Sequence, residues 1–133
     1  MSFSVCTKLN FFKLISTTKI VAKFLIVVKS NDQLNVNTAV NVAQGLKMMG
    51  AQDVKMVFLG PGITALSKAN SVSEIVKKAS ENLKKSGITV YACEMAMKNY
   101  NVNRDDLVYA DEVARGADVI VRFADQGYQV LTF

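Results

Sequence analysis

Two kinds of hydrophobic pattern alternate along this chain, and their alternation restricts the fold more than any other feature. Short continuous apolar runs, of which Phe24–Val28 is the clearest, are typical of strands that are covered on both faces. Longer stretches with apolar residues at helical spacing lie between these runs. Because parallel strands need right-handed crossovers that cover the sheet, the alternation predicts an α/β fold.

The predicted architecture is a three-layer, doubly wound sheet of five parallel strands. A glycine follows each of the three longer helical patterns, at Gly50, Gly87 and Gly127, where a left-handed residue commonly ends a helix. Residues 63–69 are predicted to form a helical turn or a loop. The strands are predicted at residues 24–28, 55–59, 88–92, 111–114 and 128–133.

Cys93 lies where the third predicted strand gives way to a short helix. The N–H groups at a helix N-terminus are unpaired and favour an anion by about 0.3–1 kcal/mol. The anionic thiolate, which is the reactive form of cysteine, is therefore favoured at this position. Glu94 opposes this effect if its carboxylate turns toward the sulfur, but favours the helix start if it points to solvent. A second interpretation is that Cys93 is a small buried hydrophobic residue.

Other candidate residues follow the first two strands. In an open sheet of order 2-1-3-4-5, ligands bind beyond the carboxyl ends of strands one and three, where the strand order reverses. Ser30 and Asn31 follow strand one, so this order would bring them close to Cys93. The predicted site has Cys93 as its catalytic residue and five substrate-binding residues: Ser30, Asn31, Pro61, Gly62 and Glu94.

The composition excludes several kinds of chemistry. The 133 residues contain no His, which removes Ser–His and Cys–His pairs and the commonest metal ligand. Cys6 and Cys93 form neither a zinc site nor a disulfide framework, which favours a cytoplasmic location. The glycine-rich loop at 60–62 lacks the Lys-Ser/Thr pair of a phosphate-binding loop. We therefore predict no cofactor and no metal. Cys6 would act as a resolving thiol only if its segment reached the sheet edge.

The net charge of +5 comes from the N-terminal part of the chain. Residues 1–31 contain five Lys and no acid, whereas the remainder has 11 basic and 11 acidic residues. A neutral body argues against nucleic-acid binding. We divide the chain into an N-terminal arm, residues 1–18, and an α/β domain, residues 19–133. The arm is expected to pack on the domain or on a neighbouring subunit, the alternative being weak contact with an anionic membrane surface.

Two stretches of the sequence resemble the DsrE/DsrF-like sulfur-relay family. The run 91–97, Tyr-Ala-Cys-Glu-Met-Ala-Met, contains the Cys-x-Met-x-Met pattern of one branch, and residues 116–118 and 127–133 resemble the family's C-terminal part. The likeness covers about residues 20–133. It implies the flavodoxin-like strand order 2-1-3-4-5 and a cysteine, matched by Cys93, that carries sulfur as a persulfide or thiosulfonate. It also implies donor and carrier proteins as partners, and trimers or hexamers.

The predicted function is that of a sulfur carrier or sulfurtransferase acting by thiol exchange at Cys93. Met95 and Met97 are predicted to be packing residues. Two alternatives remain open from the sequence. One is a non-catalytic module of the same fold that binds a small ligand or supports an assembly. The other is a redox sensor in which Cys93 is oxidised.

Overall fold

The computed structural model describes residues 21–133, which form a five-stranded parallel sheet with helices on both faces. This confirms the predicted α/β class with five parallel strands. The strands are β1 (Lys23–Val28), β2 (Asp53–Phe58), β3 (Thr89–Cys93), β4 (Glu112–Ala114) and β5 (Gln129–Thr132). The helices are α1 (Gln33–Met48), α2 (Ser73–Lys85), α3 (Glu94–Asn99) and α4 (Gly116–Asp125), with 3₁₀ helices at Gly60–Leu66 and Arg104–Asp106.

The order of the strands is β4-β3-β2-β1-β5, which differs from the expected 2-1-3-4-5. β1 lies between β2 and β5, and each neighbouring pair is parallel. The reason is that α1, α2 and α3 all pack on one face of the sheet, while α4 packs on the other. Right-handed crossovers on one face carry the chain one strand further in the same direction each time. The strand order therefore reverses between β1 and β5.

The apolar residues of β1 serve both faces of the sheet. Ile26 and Val28 belong to the core beneath α1 and α2, and Leu25 and Val27 belong to the core beneath α4. Successive side chains of a strand point to opposite faces, so a strand covered on both faces cannot alternate with polar residues. This two-sided burial accounts for the uninterrupted apolar run in the sequence.

The carboxylate of Asp32 caps the start of α1. One of its oxygens accepts a hydrogen bond from the Asn35 backbone N–H at 2.9 Å, and the other accepts from Asn35 Nδ2 at 2.8 Å. These bonds, the backbone one first, hold the pKa of Asp32 below its usual value. The cap therefore stabilises α1 most when the carboxyl group is ionised.

We expect Asp32→Ala to lower the urea midpoint at neutral pH, because α1 loses a side-chain acceptor for its first N–H groups. Since the folded-state pKa is lowered, the contribution of the charge is present above the unfolded pKa of about 3.9 and is lost as the pH falls through the folded value. The difference from wild type should therefore shrink in acid. Asp32→Asn keeps a neutral cap and is the control. An Ala variant as stable as the Asn variant at pH 7 would contradict this assignment.

Two sequence predictions lie wholly or partly outside the described residues. The arm, residues 1–18, and its Cys6 are not among residues 21–133, and the boundary at residue 19 stays a prediction. Within the described part of the chain, no helix combines the length and the apolar character needed to cross a membrane.

Candidate functional site

Cys93 is the last residue of β3 and the N-cap of α3, which confirms the predicted strand-to-helix junction. Its backbone is extended, with φ −73° and ψ 119°, and its side chain makes no capping hydrogen bond to α3. The residue is 7 % exposed. The thiol is therefore not used to stabilise α3, and it lies mostly beneath its neighbours at the carboxyl edge of the sheet.

The thiol packs against a second helix, α4. Cys93 pairs with Ala114 of β4, and the chain then turns at Arg115 into α4. A Cβ atom placed on Gly116, the first residue of α4, would lie 3.2 Å from Cys93 Sγ and 3.1 Å from Leu59 Cδ2. The missing side chain therefore lets the sulfur lie directly against the first turn of α4.

The first turn of α4 presents unpaired backbone N–H groups. Arg115 is its N-cap and makes no side-chain capping bond, and Val119 N–H donates to Arg115 O at 3.1 Å. The three residues before Val119 therefore have no intrahelical acceptor for their N–H groups. A helix N-terminus favours an anion by about 0.3–1 kcal/mol, and by up to about 2 kcal/mol where it is partly buried. The amino end of α4, with these unpaired N–H groups, therefore begins beside Cys93.

The sequence points to α3 as the helix beside the sulfur, and the structure adds α4, which begins at Gly116. α3 has only six residues, whereas α4 has ten, so α4 provides the longer row of aligned peptide dipoles beside the sulfur. The available signal was the glycine itself. Gly116 opens a helix and does not have a positive φ, so its backbone conformation does not require glycine. A close approach by another part of the chain is the remaining physical reason for it.

The side chains after Cys93 face different surroundings. Glu94 is exposed, and with Lys98, Arg104 and others it lines an open cavity of about 420 Å³. Met97 is buried in the core, as predicted, but the packing prediction fails for Met95, which is 59 % exposed. Because residues 94 and 95 open the first turn of α3, they form the solvent-facing surface next to the thiol.

The other four predicted residues lie together, at the ends of β1 and β2. Asn31 Nδ2 donates to Thr64 Oγ1 at 3.0 Å, and Thr64 Oγ1 donates to Pro61 O at 2.8 Å. Ser30 N–H donates to Phe133 O at 3.3 Å. A Cβ on Gly62 would lie 2.2 Å from Val28 O, so the backbones touch here. These contacts join the ends of neighbouring strands, and the close approach to Val28 explains why residue 62 is a glycine.

The expected approach of Ser30 and Asn31 to Cys93 required β1 and β3 to be neighbours. β2 lies between them, so at a strand spacing of about 4.8 Å the two strand ends are roughly 10 Å apart. Leu59, which follows β2, is the residue whose side chain reaches the Gly116–Cys93 contact. A substrate-binding role for Ser30, Asn31, Pro61, Gly62 and Glu94 stays a prediction.

A parallel α/β sheet with a cysteine at the carboxyl end of an inner strand defines the class to which this protein belongs. The chain belongs to the DsrE/DsrF-like family, whose model matches residues 22–133. No curated protein matches the chain.

Several solved structures share the fold. A protein of unknown function from Methanobacterium thermoautotrophicum, MTH1491, is 17 % identical with a TM-score of 0.72 and aligns over 84 % of this chain and 99 % of its own. BT1422 from Bacteroides thetaiotaomicron, also of unknown function, is 19 % identical with a TM-score of 0.66, over 84 % and 94 %. The YchN protein of E. coli is 18 % identical with a TM-score of 0.65, over 85 % and 100 %. At these identities the likeness establishes the fold alone.

Replacing either of two helical glycines with alanine should change the free energy of unfolding, in opposite directions for the two positions. Gly116→Ala places a methyl group 3.2 Å from Cys93 Sγ, and such overpacking typically costs about 1–3 kcal/mol. Gly45→Ala is the matched control, because its Cβ would meet no atom within 4 Å and a helix interior gains up to about 1 kcal/mol from alanine.

Urea denaturation measures both effects on the free energy of unfolding. In a Cys6→Ser background, the alkylation rate of Cys93 reports on the thiol itself, and it should change in Gly116→Ala and stay unchanged in Gly45→Ala. Equal stability and equal alkylation rates in the two variants would show that Gly116 does not hold the sulfur against α4.

Proposed function

We propose that this protein carries or transfers sulfane sulfur through Cys93. Membership of the DsrE/DsrF-like family supports a sulfur-relay role at the level of the family. The observation that carries the proposal for this chain is the contact of Cys93 Sγ with the first turn of α4. The amino end of a helix is a position at which anions are generally favoured, and the anionic persulfide that the proposal places on Cys93 would lie there.

The transfer step is a thiol exchange. The Cys93 thiolate attacks the outer sulfur of a donor persulfide, a new Sγ–S bond forms, and the donor's S–S bond breaks. The electron pair leaves with the donor's inner sulfur as a thiolate, so no external oxidant or reductant is needed. In delivery, a carrier thiolate attacks the outer sulfur of the Cys93 persulfide, and Cys93 leaves as a thiolate. Neither direction requires a histidine base, which the sequence lacks.

The proposed reaction partners are a sulfur-donor protein and a small carrier protein. The proposed assembly of this chain itself is a trimer or hexamer. Because Cys93 is 7 % exposed, a partner must present its sulfur to the small part of this residue that solvent reaches. Glu94 and Met95 directly follow Cys93 in the chain and are exposed, and they are the side chains we expect a partner to contact first. A flexible thioether suits a surface that accepts more than one partner.

Sulfur loading is tested by intact-mass measurement after incubation with inorganic polysulfide, thiosulfate or tetrathionate. We expect wild type and Cys6→Ser to gain sulfur and Cys93→Ser to gain none, because the proposal places the transferred sulfur on Cys93. Reduction with dithiothreitol should remove the added mass. A gain that survives in Cys93→Ser, or no gain with any of the three reagents, would refute the proposal.

The low exposure of Cys93 also favours a second candidate, a non-catalytic module of the same fold in which this thiol is a packing residue. This candidate predicts that Cys93 reacts with small alkylating reagents only at the rate of global unfolding. It also predicts that Cys93→Ala lowers stability without changing any assembly that the protein joins. Alkylation faster than unfolding in native buffer would favour the sulfur carrier.

A further inference from the structure

β5 forms an open edge of the sheet within the described part of the chain. It pairs with β1 alone, and three of its four residues are exposed, including Val130 at 42 %. Strands of parallel sheets are normally covered on both faces. β5 is therefore exposed both along its edge and over much of its faces.

The hydrogen bonds of Phe133 show which backbone groups of β5 point outward. Phe133 N–H donates to Val27 O at 2.8 Å, and Phe133 O accepts from Lys29 N–H at 2.8 Å. In a parallel ladder, alternate residues direct both backbone groups to the same neighbour. Leu131 therefore faces β1 as Phe133 does, and Val130 and Thr132 direct their N–H and C=O groups away from the sheet.

The two edges of the sheet differ in how they are protected. β4 has only three residues, begins with the exposed Glu112, and is flanked by the charged Asp111 and Arg115. Short length and charge are the common means by which proteins prevent edge pairing. From Tyr128 to Phe133 there is neither a charged side chain nor a proline. The β5 edge therefore has the properties of a strand that pairs with another strand.

We propose that β5 pairs antiparallel with β5 of a second copy of this chain, across a twofold axis at Leu131. In this register Val130 lies opposite the partner's Thr132, and each such pair exchanges two N–H···O bonds. Leu131 then faces the partner's Leu131 in a non-hydrogen-bonded pair, where side chains are closest. The two sheets join into one continuous sheet.

A second copy fits this edge better than an unrelated chain. A twofold axis brings copies of the same few side chains close together, so a strand with charged side chains would repel its copy, whereas residues 128–133 include no charged side chain. The outward groups of Val130 and Thr132 complement each other in the antiparallel register. Cys93 is on β3, with β2 and β1 between it and β5, so the contact does not cover the thiol and does not depend on the proposed function.

Amide hydrogen exchange on the full chain tests the register directly. Protection of the Val130 and Thr132 amides should rise with protein concentration, because their N–H groups pair only between copies. The Leu131 amide, which faces β1, should stay protected at every concentration. Protection of Val130 and Thr132 that is independent of concentration in a monomer would mean that another part of the chain covers the edge, and would overturn the proposal.

Sedimentation of edge variants tests the affinity. We expect Val130→Lys and Thr132→Lys each to weaken self-association by about tenfold or more, because a lysine on an edge strand opposes pairing and the two copies place like charges in diagonal positions across the axis. Val130→Thr, which keeps the backbone and adds no charge, should associate as wild type does. Melting curves should show that each variant is folded. A wild type that is monomeric throughout, or Lys variants that associate as strongly as wild type, would overturn the proposal.

Discussion

The packing of α4 on the face of the sheet opposite to α1, α2 and α3 is the constraint on which the rest of the structure depends. The chain moves from β1 to β4 by crossovers on one face, and only α4 brings it back to β5. Val119 and Phe123 of α4 pack on Leu25 and Val27, and burying such side chains contributes about 1.5–3 kcal/mol each. The same helix begins beside Cys93 and ends beside β5. One packing interaction thus sets both the environment of the thiol and the identity of the open edge.

A polar contact at the amino end of the sheet anchors the residue between α4 and β5. Tyr128, which precedes β5, donates its hydroxyl to Asp53 at the start of β2, and Lys55 Nζ lies 3.0 Å from the same carboxylate. Burial, followed by the bond to Asp53, raises the pKa of Tyr128. The phenol therefore stays protonated and remains a donor across the physiological range. Its ring also packs on Phe123, with centroids 4.9 Å apart, so the polar tip and the apolar body both hold β5 in place.

The elements of this fold were predictable because their signals are local. An apolar run such as Phe24–Val28 specifies a buried strand, and the junction at Cys93 follows from the change of period around it. The strand order was not predictable in the same way. A helix with one apolar face can bury that face against either side of a sheet. Because the crossover is right-handed, the side that the helix covers decides whether the next strand is added to the left or to the right in the sheet. The expected approach of Ser30 to Cys93 failed for this reason.

The contact between Gly116 and Cys93 was hidden for a related reason, since it joins residues that only the completed sheet brings together. Its consequence for the proposed chemistry is steric. The outer sulfur of a persulfide carries no carbon substituent, whereas each sulfur of a protein disulfide is bonded to one. A thiol that is 7 % exposed and lies against Gly116 of α4 is reached more easily by the outer sulfur of a persulfide than by a sulfur of a protein disulfide. Under the proposed function, burial would therefore select terminal sulfane sulfur over disulfide exchange.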